Sequence, residues 1–203
     1  QARYQAHPKD YWQEEFKSAK KIGLDCIEFI LDFNDSELNP LLTKNGPEEI
    51  LYLSEKTGVN VITICADYFM EAPLHSEELK VSEQSQKVFF RLLNNAQKLG
   101  VTDIVLPCVD QSSLDGQLVI DRFVKNLYPI IEVAEKSKIN LSLETDLAPQ
   151  SFGELLDRLK SNRVSVNYDI GNSAALGYSL IEELDTYGDR ITDIHIKDRE
   201  LGG

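Results

Sequence analysis

Apolar residues along the chain alternate between two spacings in a phrase that recurs six times. A stretch with apolar side chains at helical spacing ends on charged or polar residues, a glycine or polar turn follows, and a short β-branched run then finishes on acidic or polar residues. The first unit predicts a helix over residues 10–21, a turn at Gly23 and a strand over 26–31. The second predicts a helix over 47–57, a turn at Gly58 and a strand over 59–67. In the third, Val88, Leu92, Asn95, Ala96 and Leu99 fall on one face of a helix over 82–99, and Gly100 leads into a strand over 103–110. A helix over 117–136 then precedes a strand over 140–144, one over 151–160 precedes 164–169, and one over 180–187 precedes 191–198.

Strands separated by helices of this length cannot pair as hairpins, so they run parallel with the helices covering the sheet. An open doubly wound sheet would carry a Gly-rich first turn for its ligand, and neither a G-x-G-x-x-G nor a P-loop spacing occurs in the chain. A closed barrel instead gathers its chemistry at the C-terminal ends of many strands. The strand ends here are Glu28 and Asp32, Asp67, Asp110, Glu144 and Asp146, Asp169, and then His195, Lys197 and Asp198. Strands emerging into water account for the acids in general, and account less well for Glu144 and His195, which are followed by further strand-like residues. The expected fold is therefore α/β, a parallel (β/α)8 barrel, with residues 1–203 as one incomplete domain. On a count of six strands in a chain that opens on a helix, the first strand and the last helix and strand are expected to be absent from it.

Charge narrows the partners. With 21 Lys+Arg against 34 Asp+Glu the net charge is −13, which repels nucleic-acid backbones and anionic lipid. No apolar run approaches the roughly 18 residues a membrane helix needs, and no secretion signal opens the chain, so the expectation is a cytoplasmic protein without nucleic-acid or membrane partners. Homo-oligomerisation is compatible with the same composition. Cys26, Cys65 and Cys108 sit in apolar stretches without a Cys-x-x-Cys spacing and are expected to be buried free thiols.

Glu144, Asp169 and His195 end three consecutive predicted strands, and neighbouring strand ends in a parallel sheet lie about 5 Å apart. Pointing inward together, they form an O/O/N set suited to a divalent ion, Mn²⁺ foremost, with Mg²⁺, Co²⁺ or Zn²⁺ as alternatives. In the segment Tyr168-Asp169-Ile170-Gly171-Asn172, the glycine allows close approach of a ligand, and Asn172 and Ser173 are candidates to cap a following helix and present amides to substrate. At strand alternation His195 and Lys197 share a face, so one can bind metal while the other meets substrate oxygens; the alternative is a rim ion pair of Lys197 with Asp198 or Glu144. Cys65 and Cys108 have no histidine on their strands to activate them and read as core thiols. His7 and His75 fall in Pro-flanked loops, Tyr11 and Trp12 head an amphipathic helix, and residues 69–80 form a candidate active-site loop.

The strand-end set Leu143-Glu144-Thr145, Tyr168-Asp169-Ile170-Gly171-Asn172 and Asp193-Ile194-His195-Ile196-Lys197-Asp198, in this order and joined by Gly23-Leu24-Asp25-Cys26-Ile27-Glu28, resembles the sugar phosphate isomerase/epimerase group of the xylose isomerase-like TIM barrels. The resemblance spans essentially the whole chain. It implies that Glu144, Asp169 and His195 are metal ligands, that Glu144 is also an acid/base, and that Glu28, Asn172 and Lys197 face the substrate. The group's fourth ligand, a glutamate on its last strand that serves as second acid/base, has no counterpart in these residues. The implied function is a divalent-metal-dependent sugar or sugar-phosphate epimerase or isomerase working through an enediolate. Two other classes compete with it: a metal phosphodiesterase of the apurinic-site endonuclease kind, which needs several strand-end histidines where only His195 qualifies, and a non-catalytic sugar-binding barrel.

Overall fold

The computed structural model describes residues 6–202. Six strands, β1 (Cys26–Ile30), β2 (Asn60–Cys65), β3 (Asp103–Cys108), β4 (Asn140–Thr145), β5 (Val164–Asp169) and β6 (Ile191–His195), form one sheet in chain order. Every neighbouring pair is parallel. The α-helices are α1 (Trp12–Ile22), α2 (Gly46–Thr57), α3 (Tyr68–Glu71), α4 (Leu79–Leu99), α5 (Gln117–Ser137), α6 (Pro149–Leu159), α7 (Ile170–Leu176) and α8 (Leu180–Tyr187). Among the described residues no helix is long and apolar enough to cross a membrane.

Alternation along the strands separates two environments. Leu141 and Leu143 on β4 and Val164 and Val166 on β5 are fully buried with Leu127, Ile131, Phe152 and Leu156 of the helices in one continuous apolar core. The opposite face of the same strands is polar. Ser142 Oγ donates to Asp103 Oδ1 at 3.0 Å and lies 2.9 Å from Ser165 Oγ, which accepts from Thr192 Oγ1 at 2.7 Å. Each of α1, α2 and α4 ends on a glycine in the left-handed region, and Lys138 and Lys160 adopt the same conformation after α5 and α6.

The sheet curls until its two outer strands face each other. Strands five spacings apart in a flat sheet would be separated by about 24 Å at roughly 4.8 Å per step. Yet His195 Nε2 on β6 lies 2.9 Å from Glu28 Oε1 on β1, a distance that only a barrel-like wrap of six strands allows.

Three expectations change. Residues 69–80 are not all loop, because Tyr68 and Phe69 bury their rings in the short helix α3 over Tyr68–Glu71. β6 stops at His195, so Lys197 belongs to an irregular segment beyond the strand. Cys26 is exposed at the start of an outer strand, whereas Cys65 and Cys108 are buried as expected. Burial, followed by nearby acids, raises both buried thiols above their usual range, which leaves them inert. His75 is in a loop but is buried against Phe123, and burial followed by Arg122 lowers its pKa to about 4.

Candidate metal and proton-transfer site

Glu144 on β4, Asp169 on β5 and His195 on β6 converge because each occupies an inward position at the C-terminal end of its strand. Register pairs Asp169 with His195, and one ligand atom from each of the three residues lies within 4.8 Å of the others. Glu144 and Asp169 are buried while His195 is partly exposed, so the group opens in one direction. That direction is a cleft of about 950 Å³ whose wall includes Asp32, Asp67, Asp110, Asp146, Lys197 and Asp198 along with the three converging residues. All the strand ends singled out in the sequence line it except Glu28.

Glu28 takes a different position. Its Oε1 meets Nε2 of His195 at 2.9 Å, on the far side of the ring from Glu144 and Asp169, which lie 3.5 and 3.9 Å from Nδ1. A carboxylate on the outer nitrogen fixes the ring's orientation and turns Nδ1 toward the other two carboxylates. Burial lowers the basicity of His195, but the hydrogen bonds and charges of Glu144 and Glu28 outweigh it and push the pKa to about 10. A neutral ring with its hydrogen on Nε2 also suits Asn167 Nδ2, 3.0 Å from Nδ1. A divalent cation at Nδ1 selects that neutral form over the protonated one.

Two amides hold the Glu144 carboxylate, one on each oxygen. Asn172 Nδ2 donates to Oε1 at 2.6 Å and Asn167 Nδ2 to Oε2 at 2.8 Å. Arg199 donates to Asn172 Oδ1 at 2.8 Å, which turns the amide's NH₂ toward Glu144. Asn167 was not among the sequence candidates. Its signal is the run Val164 to Asp169, where Ser165, Asn167 and Asp169 share the inward face.

Asp169, rather than Asn172 or Ser173, caps α7: its Oδ1 accepts the Asn172 N–H at 2.8 Å. Ser173 instead donates to Glu183 at 2.6 Å. Lys197 Nζ lies 2.6 Å from Asp169 Oδ2, so its ion pair is with Asp169 and not with Asp198 or Glu144.

The residues fit a divalent ion by their donors. Asn167 Oδ1 is buried without a hydrogen-bond partner, an arrangement that costs about 1 to 3 kcal/mol unless something polar meets it, and Asp169 Oδ2 makes no hydrogen bond and is met by the Lys197 ammonium as a bare ion pair. Two carboxylates and one imidazole are the ligand chemistry of Mn²⁺, Mg²⁺, Co²⁺ or Zn²⁺ with open positions for substrate.

A parallel, curled sheet with a candidate O/O/N metal site at its C-terminal edge is the architecture of a βα-barrel, and the chain belongs to the xylose isomerase-like TIM barrel family, whose model matches residues 16–202. It is 26% identical over 198 residues to the L-ribulose-5-phosphate 3-epimerase UlaE of Escherichia coli (strain SMS-3-5 / SECEC), covering 94% of this chain and 70% of that protein. Its fold matches D-psicose 3-epimerase from Clostridium cellulolyticum H10 with a TM-score of 0.75 at 19% identity, covering 95% of this chain and 68% of that one. It also matches a xylose isomerase-like TIM barrel protein from Mycobacterium smegmatis, solved in complex with magnesium, with a TM-score of 0.71 at 17% identity, covering 94% and 67% respectively.

Proposed function

We propose that this chain carries the metal site and the first proton-transfer group of a ketose 3-epimerase, an isomerase acting on a sugar phosphate of the L-ribulose 5-phosphate type. The observation that carries the reading is the convergence of Glu144, Asp169 and His195 within 4.8 Å in the wall of the cleft. The sugar phosphate follows from the relative acting on L-ribulose 5-phosphate.

Epimerisation next to a carbonyl begins by removing the proton on the carbon that inverts. Glu144 is the base: it is buried, its two oxygens are oriented by Asn167 and Asn172, and it opens on the cleft. A divalent ion held by Glu144, Asp169 and His195, Mn²⁺ foremost, would supply electrostatic stabilisation of the oxygen charge that develops as the proton leaves. Lys197, on the cleft wall, is placed to meet substrate oxygens. Inversion requires the proton to return from the opposite face, which calls for a second acid besides Glu144.

Incubation with Mn²⁺ and L-ribulose 5-phosphate in D₂O should place deuterium at C3. Glu144→Gln keeps the size and one acceptor oxygen but removes the base, and exchange at saturating Mn²⁺ should fall by about 10² to 10⁴-fold. Full exchange in that variant with metal bound would transfer the role to another acid of the cleft.

A further inference from the structure

Asp169 has two oxygens and three claimants. Oδ1 is committed to the α7 cap through the Asn172 N–H at 2.8 Å, which leaves Oδ2 for a cation. Lys197 Nζ already lies 2.6 Å from Oδ2, at an angle that makes no hydrogen bond, and the Asp169 side chain is only 2% exposed. His195 Nδ1 approaches the same oxygen at 3.9 Å. A metal shared by Asp169 and His195 and the Lys197 ammonium therefore need the same atom.

The lysine is seated for this position. A Cβ built on Gly171 would fall 2.5 Å from Lys197 Cγ, 3.0 Å from its carbonyl oxygen and 3.3 Å from Cε. Gly171 is outside the left-handed region, so the backbone conformation does not require glycine there; the lysine stem does, because it lies flat across the first turn of α7. The segment carrying it is tied down on the same helix, Arg199 donating to Asn172 Oδ1 and the Gly202 N–H to Ala175 O, both at 2.8 Å. Thus the Gly171 of one strand-end motif and the Lys197 of the next form a single steric unit.

We propose that Lys197 is a resident counter-ion of Asp169 that a divalent cation must displace, with Gly171 as the seat that keeps the ammonium on Oδ2. Metal loading and release of the lysine are then one exchange: the ion takes the carboxylate oxygen, and the freed ammonium stays at the cleft wall to receive oxygens of the substrate. The inference rests on the metal-site reading given above.

Mn²⁺ titration by calorimetry and by loss of the free-ion electron paramagnetic resonance signal, at fixed pH and ionic strength, tests it without substrate. Lys197→Met removes the competitor, and Mn²⁺ should bind about two- to fivefold more tightly, the scale of a half-exposed ion pair. Gly171→Ala keeps the charge but pushes the stem off its seat, and affinity should rise in the same direction. Unchanged or weaker binding in Lys197→Met overturns the proposal. So does tighter binding in Lys197→Met with wild-type affinity in Gly171→Ala, because that pattern is a charge acting at a distance and not a seated competitor. Failure of wild type and both variants to bind Mn²⁺ would instead remove the metal-site reading on which the exchange depends.

Discussion

Asn167 sits two residues below Asp169 on the inward face of β5 and bridges two of the converging groups, donating to Glu144 Oε2 at 2.8 Å and lying 3.0 Å from His195 Nδ1. Its own carbonyl oxygen is buried without a partner, so the amide is oriented by the site rather than by its packing. Outer contacts of this kind commonly carry 10 to 100-fold in metal affinity or activity. Asn167→Ala should therefore lower the deuterium exchange rate at saturating Mn²⁺ by about 10-fold or more, while Asn167→Asp should do worse by setting a second carboxylate against Glu144. Steady-state exchange kinetics separate these variants from wild type; an Asn167→Ala enzyme with wild-type rate and wild-type Mn²⁺ affinity would show that Asn172 alone orients the base. Glu144, Asp169 and His195 were legible in the sequence because period-2 alternation and strand ends place side chains without any knowledge of packing. Asn167 was not, since an asparagine inside a strand run looks like any interior polar residue until its neighbours on the adjacent strands are known. Glu28 was legible as a strand-end acid expected to face the substrate, but not as the partner of His195, which is 167 residues away.

At the scale of elements, one buried acid ties the last units together. Glu183 on α8 is 1% exposed and accepts from Tyr168 on β5 at 2.9 Å, Tyr187 at 2.8 Å and Ser173 on α7 at 2.6 Å. Burial followed by the bond to Glu183 raises the Tyr168 and Tyr187 hydroxyls above their ordinary range, so all three donors keep their hydrogens. Glu183→Ala would strand two buried tyrosine hydroxyls and leave the part-buried Ser173 without its acceptor; at about 1 kcal/mol or more for each buried group left unpaired, urea denaturation should show a loss of about 2 kcal/mol. Glu183→Gln retains one acceptor and should cost less. Because Ser173 follows Asn172, loosening α7 should also weaken the amide on Glu144; a Glu183→Ala protein with full stability would mean that water replaces the carboxylate. The long helices and all six strands were legible from their apolar periods, with ends shifted by a few residues. α3 and α7 were not, because four and seven residues are too few to display a helical period, and what winds them is tertiary: ring burial for α3 and the Asp169 cap for α7.

Across the whole molecule, the parallel order of the strands was readable from the repeated phrase, but the degree of curl was not. Curl depends on register shifts between Cys26 and Glu28 on β1 and between Val166 and Asn167 on β5, which a strand-by-strand pattern does not encode. Its consequence is the contact between the two outer strands, Glu28 to His195, and that contact makes stability depend on pH. The ring's pKa is pushed from 6.5 to about 10 by Glu144 and Glu28 against the opposing effect of burial. A raised folded-state pKa means the stabilisation is fully present below the unfolded value of 6.5 and is lost as pH climbs through about 10. The melting temperature of the metal-free protein should accordingly decline between those pH values, and His195→Gln should remove that part of the decline. Mn²⁺ runs the other way, since it needs the neutral ring: its affinity should rise by about tenfold per pH unit across the same window as one proton is displaced. Thermal melts and Mn²⁺ titrations at matched pH check the two slopes against each other. Parallel melting profiles for wild type and His195→Gln would place the proton elsewhere, and a flat Mn²⁺ affinity would mean that the ring is already neutral when the ion arrives.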